Sequence, residues 1–179
     1  MKRIHLLIVT GLPASGKTTL ARELARRHGA ILIAKDVIKE PLLDVLGAAD
    51  AAASRALSDA SFAILFAMAR ELAGSGCDLV LEGNFRPGQH EESLRPLFGA
   101  YVAGAQLLCR VPESVRRARL LARAQDPSRH AGHRDAQFLT PAALAAGSAT
   151  DGFLELPGAR FESIQGAPDS ALDEWWQKP

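Results

Sequence analysis

The chain has 179 residues, 47% hydrophobic and 23% charged, with a formal net charge of +1. That length and balance describe one globular domain with a buried core. They argue against extended disorder, and nothing global points to nucleic acid or membrane. Two cysteines, Cys77 and Cys109, lie in apolar stretches that read as strands. Buried reduced thiols of a cytoplasmic protein explain them better than a disulfide or a zinc site.

The first apolar run, Ile4 to Val9, is near-continuous, as expected of a parallel strand covered on both faces. It is too short for a secretory leader, and no run in the sequence approaches the ~20 apolar residues of a membrane span. A glycine-bearing turn leads into a helix over 17–28, with Gly29 as its stop. Residues 31–34 read as a second strand. Asp36 stands where an N-cap would, opening a helix to about residue 46 that Pro41 is placed to interrupt. Residues 51–73 are alanine-rich, with Leu57, Phe62, Leu65, Phe66 and Leu72 on a helix face.

A third strand is expected over 77–82, a loop over 83–88 and a helix over 89–97. A fourth strand follows over 102–110, and Pro112 then opens a helix to about residue 125. Residues 126–140 are polar and helix-poor. A fifth strand over 160–164 and a final helix over 169–177, carrying Trp175 and Trp176, complete the order. The packed-helix reading of that tryptophan pair is simpler than an interface. Strands alternating with helices predict an α/β fold, with a parallel sheet of about five strands and helices on both faces. No linker divides the chain, so residues 1–179 read as one domain.

Gly11-Leu12-Pro13-Ala14-Ser15-Gly16-Lys17-Thr18 fits the pattern G-x-x-x-x-G-K-[ST], between a buried strand and a helix. The spacing has a physical reason. Glycines let the backbone curl so that successive N–H groups converge on a phosphate, and the following helix adds the positive end of its dipole. The expected nucleotide ligands are Gly11, Pro13, Ala14, Ser15, Gly16, Lys17, Thr18 and Thr19. Lys17 is placed to bridge β- and γ-oxygens, and the Thr18 hydroxyl to bind Mg²⁺.

Ligands of parallel α/β sheets lie beyond the carboxyl ends of the strands. Two such ends carry carboxylates. Asp36 follows the second strand and has two open roles: a base that takes the proton of an acceptor hydroxyl, or a helix cap. Glu82 ends the third strand beside the phosphate loop, placed for Mg²⁺ or for substrate. Lys39 and Lys35 are candidates for an anionic substrate or simply solvated cations. Asn84, Phe85 and Arg86 offer an amide, an aromatic face and a cation to an acceptor, with a core position as the other reading of Phe85.

Seven of the sixteen arginines fall between Arg110 and Arg134. Arg119 and Arg123 share a helix face and are the candidates to neutralise transferring phosphoryl oxygens; Arg129 follows in the polar segment. Arg116 and Arg117 read as solvent-facing. His130 and His133 lack a third ligand nearby, which speaks against a metal site.

With these residues in place, the chain resembles the compact P-loop kinases, whose relatives include chloramphenicol phosphotransferase, the zeta toxins and the 5′-hydroxyl kinase domain of polynucleotide kinase. The motifs that carry the resemblance are the phosphate loop, Lys35-Asp36, Leu81-Glu82-Gly83-Asn84-Phe85 and Arg129-His130-Ala131-Gly132-His133. It covers about residues 4–135. It implies the three-layer P-loop fold, ATP and Mg²⁺ as cofactors, Asp36 as base, and an arginine-bearing lid over about 126–140, with a phosphate contact for Arg129. The implied activity is transfer of a phosphoryl group to an alcohol on a small molecule. A polynucleotide 5′-hydroxyl as acceptor is disfavoured by the low net charge. A non-enzymatic ATP switch has no use for a base and a dense arginine segment.

Overall fold

The computed structural model describes residues 3–127, 130, 139–140, 152–164 and 170–178. Five strands form one sheet in the order β2-β3-β1-β4-β5, and every neighbouring pair is parallel. They are β1 Ile4–Thr10, β2 Ile31–Ala34, β3 Leu79–Glu82, β4 Val102–Arg110 and β5 Ala159–Ile164. All seven residues of β1 are buried, as its apolar run requires of a central strand.

Side chains alternate across a strand, so β1 feeds two cores. Leu6 and Ile8 join Leu79 and Leu81 on one face, against Phe62, Leu65, Phe66 and Ala69. Leu7 and Val9 join Val80 on the other, against Leu20, Leu24, Leu172 and Trp176. The helices α1 Lys17–His28, α2 Lys35–Leu46, α3 Ala51–Gly74, α4 Glu91–Leu94, α5 Glu113–Gln125 and α6 Ser170–Gln177 connect the strands. The packed reading of the last helix holds: Trp176 is buried, and its ring stacks on His28 with centroids 4.5 Å apart.

Several boundaries differ from expectation for identifiable reasons. β3 begins at Leu79, because Asp78 turns its carboxylate onto the His5 N–H at 2.7 Å. The expected helix over 89–97 is a single turn, α4, followed by a 3₁₀ turn over Arg95–Leu97; Pro96 lacks the N–H that would continue it. Pro41, by contrast, lies within an unbroken α2. α3 meets the length and composition of a membrane-crossing helix, with a mean hydropathy of 1.2, although no such run was expected. Here one of its faces is buried against the sheet.

Candidate active site

The loop between β1 and α1 is shaped by three left-handed residues: Gly11 at φ 142°, Ala14 at φ 67° and Gly16 at φ 94°. A Cβ on Gly11 would lie 2.5 Å from the Cys109 carbonyl oxygen, so only glycine fits between the two strands. Ala14 is the one positive-φ residue other than glycine among the described residues, a conformation that costs about 1–2 kcal/mol. Such strain clusters at binding sites, and here it turns the backbone into a concave cradle. α1 has no acidic residue in its first turn, so the positive end of its dipole is left for an anion.

Lys17 rises from the start of α1. Its Nζ donates to the Leu12 carbonyl at 3.5 Å and lies 4.0 Å from Glu82 Oε1. Glu82 is 1% exposed, and its Oε2 is buried with no hydrogen-bond partner among the described residues. Burial raises its pKa, while the positive charge of Lys17 and the Thr18 hydroxyl pull it down. A buried orphan carboxylate oxygen beside Lys17 and Thr18 is chemically suited to a hard divalent cation held directly or through water.

Asp36 belongs to the first turn of α2, and the helix begins two residues earlier than expected. The N-cap position falls to Ala34, with no side-chain cap. The cap reading of Asp36 is therefore set aside. Its carboxylate lies 3.0 Å from Lys35 Nζ. Lys35 and Lys39 are both buried, which corrects their reading as solvated cations. Lys39 donates to Ser54 Oγ at 3.1 Å.

A cavity of about 770 Å³ opens above the sheet. It is lined by Pro13, Ala14, Gly16, Lys17, Thr18 and Thr19 on the phosphate side. Asp36, Lys39, Glu82, Asn84, Arg86 and Arg123 complete the set of expected residues found there. Phe85 is not among them. It is packed in the core between Phe62 and Phe66, and its carbonyl takes the Thr10 hydroxyl at 3.1 Å. The aromatic face expected of Phe85 comes from Phe62 on α3, which does line the cavity.

α5 crosses behind the loop. Arg119 donates to the Ala14 carbonyl at 3.3 Å, which ties the arginine helix to the cradle. Arg123, one turn on, lines the cavity. Arg116 is 3% exposed and pairs with Glu113 at 2.9 Å, a correction to its solvent-facing reading. Arg117 is exposed as expected. Arg129 and His133 lie outside the described residues, as does most of the 126–140 segment. His130 bonds to Asp44 at 2.9 Å. No cluster of three metal-ligating side chains occurs among the described residues.

The sequence reading missed Ser54, Arg55, Ser58 and Asp59 of α3, and His90 before α4. Ser54 and Ser58 are four apart on one helix face, a spacing that was available as a signal. Nothing local marked His90, whose position depends on the loop after β3.

Residues 6–145 match the family described as AAA domain. An uncharacterized protein of Mycobacterium tuberculosis is 31% identical over 172 residues, covering 90% of this chain. The chain spans about a third of that relative's length, 33%. A crystal structure of a candidate kinase from Chloroflexus aurantiacus superposes with a TM-score of 0.81 at 32% identity, over 91% of this chain and 89% of that one. A sugar kinase from Janibacter gives a TM-score of 0.55 at 17% identity over 96% and 91% of the two chains, a likeness of fold. Sequence motif, sheet order and matched length agree: the chain belongs to the AAA domain family and has the fold of the P-loop kinases.

Proposed function

We propose that this protein is an ATP- and Mg²⁺-dependent phosphotransferase that moves the γ-phosphoryl group onto a hydroxyl of a small-molecule acceptor. The observation that carries the reading is the placement of Asp36. Asp36 lines the same cavity as Lys17 and Thr18, and its charge acts on Glu82 there.

In this reading the backbone N–H groups from Gly11 to Thr18 hold the β-phosphate, and Lys17 Nζ moves off the Leu12 carbonyl to bridge β- and γ-oxygens. Thr18 and Glu82 hold Mg²⁺, which when bound neutralises charge on the phosphate oxygens. Asp36 orients the acceptor hydroxyl and takes its proton as the new P–O bond forms. Lys35 holds the carboxylate in place. Arg119, anchored on Ala14, and Arg123 neutralise the equatorial oxygens, with Arg129 as a third candidate. Lys39, Asn84 and Arg86 contact the acceptor.

The test is transfer from γ-labelled ATP, with Mg²⁺, to a library of hydroxyl compounds, with Lys17→Ala and Asp36→Asn as controls. Label on an acceptor that disappears in both variants is the expected result. ATP binding without transfer to any compound would replace the kinase reading with a nucleotide switch. Label confined to 5′-hydroxyl oligonucleotides would move the acceptor from a small molecule to a nucleic acid end.

A further inference from the structure

The acceptor half of the cavity has a wall that the phosphoryl-transfer chemistry does not use. Phe62 and His90 are both buried there, with ring centroids 4.3 Å apart. His90 Nδ1 accepts the Arg86 backbone N–H at 2.9 Å. A backbone amide can only donate, so Nδ1 must carry the lone pair and Nε2 the proton. Burial, and next the charge of Arg86, lower the His90 pKa, which favours the same neutral ring. Nε2 has no hydrogen-bond partner among the described residues. The ring therefore presents one oriented donor on a rigid aromatic base.

Neutral polar groups accompany it. Ser58 Oγ gives its proton to the Ser54 carbonyl at 3.2 Å, so it meets a ligand with lone pairs. Asn84, half-buried, has both an amide donor and an acceptor and no hydrogen-bond partner among the described residues. Of the charged side chains on this side of the cavity, Arg55, Asp59 and Arg86 are exposed at its rim, while the buried Lys39 has its Nζ on Ser54 Oγ at 3.1 Å. The buried His90 donor and the half-buried Ser58 and Asn84 beside the Phe62 face match several hydroxyls on one compact carbon skeleton, whereas a single hydroxyl would leave most of them without a ligand partner.

We propose that the acceptor is a polyhydroxylated small molecule, a sugar or sugar alcohol, and that His90 Nε2–H fixes its orientation by donating to an oxygen other than the one Asp36 activates. This rests on the phosphotransferase reading above and adds the acceptor class and a specificity residue to it.

The test presents Mg²⁺ and γ-labelled ATP with two acceptor sets. One holds monosaccharides and sugar alcohols; the other holds single-hydroxyl alcohols and 5′-hydroxyl oligonucleotides. Transfer to a member of the first set is expected. For that compound, His90→Phe should raise KM about tenfold, the equivalent of one lost hydrogen bond, with KM for ATP unmoved. His90→Gln, whose amide reaches the Nε2 position, should recover part of the loss. One deoxy analogue of the acceptor should lose activity with the wild type and lose nothing further with His90→Phe. Ser58→Ala gives a second reading of the same wall should His90→Phe fail to fold.

Transfer only to the second set overturns the inference and leaves the kinase reading standing. So does transfer to a sugar whose KM neither His90→Phe nor Ser58→Ala changes. No label on any compound, in protein that binds ATP, overturns both.

Discussion

Lys35 Nζ is 3.0 Å from Asp36 Oδ1, although the two residues are neighbours on one helix. Adjacent helical residues normally point apart. Here Lys35 is the first residue of α2 after β2, and its side chain is 9% exposed against 41% for Asp36. Its Cβ lies against Gly83, where an added Cβ would be 3.4 Å away. A buried cation thus holds an accessible carboxylate at the mouth of the cavity.

That arrangement makes Asp36→Asn a chemical rather than a structural change. Phosphoryl transfer should fall by about 10²–10⁴-fold, the usual contribution of a general base. ATP binding, followed by calorimetry, should stay within a few-fold of wild type. Lys35→Met keeps the buried stem and removes the charge, so it should lower kcat more than it changes ATP affinity. Equal losses of ATP affinity and kcat in both variants would place this pair in nucleotide binding instead.

Arg116 and Arg119 share a helix and should part company on mutation. Arg119→Ala removes a cation tied to the phosphate cradle, and transfer should fall by about 10²–10³-fold with melting nearly unchanged. Arg116→Ala breaks the bidentate contact of a buried guanidinium with Glu113. That should cost about 1–3 kcal/mol of stability, read by denaturant unfolding, with little effect on KM for ATP. Steady-state kinetics and unfolding on the same two preparations decide it.

Glu82 should trade stability for function. Its folded pKa is raised above the ordinary 4.5 by burial. The native state therefore holds this proton more tightly than the unfolded chain does. The stabilising contribution is complete below the unfolded value and is lost as pH rises through the folded one. At neutral pH the ionised group is a cost, so Glu82→Gln should raise the melting temperature of the nucleotide-free protein. A gain of ~1 kcal/mol would read as about 2–4 °C. The gain should vanish toward pH 4, while Mg²⁺-dependent transfer drops. A gain that is the same at pH 4 and pH 8 would rule out titration of Glu82 as its source.

Gly11→Ala tests the cradle. The new methyl meets the Cys109 carbonyl, which belongs to the sheet and cannot move aside. Nucleotide binding should be lost and the melting temperature should fall. Gly29→Ala also places a side chain at positive φ, 65°, but meets nothing within 4 Å. It should cost about 1–2 kcal/mol of backbone strain and leave nucleotide affinity intact. Comparing the two by ATP titration separates the clash from the strain.

Much of this protein was legible in the chain order of its residues. The phosphate cradle could be read because its function lies in backbone conformation, and conformation at Gly11 and Gly16 is dictated locally by glycine. Buried parallel strands announce themselves as unbroken apolar runs, so β1 and the α/β alternation followed directly. Carboxylates at strand ends could be placed, since topology puts those ends on one edge of the sheet.

Side-chain direction could not be read. Phe85 and Phe62 are interchangeable to a sequence; both join the core, and only packing of α3 on the sheet brings Phe62 to the cavity wall as well. Arg116 and Arg119 are three apart on one helix, yet their fates depend on which residues face them: Glu113 for one, the Ala14 carbonyl for the other. His90 entered the site because the loop after β3 folds back over α3. The sequence by itself determined the cradle, the strands and the carboxylates, whose signals are local. The tertiary structure alone decided which polar groups share a wall with them, because those contacts join residues dozens of positions apart.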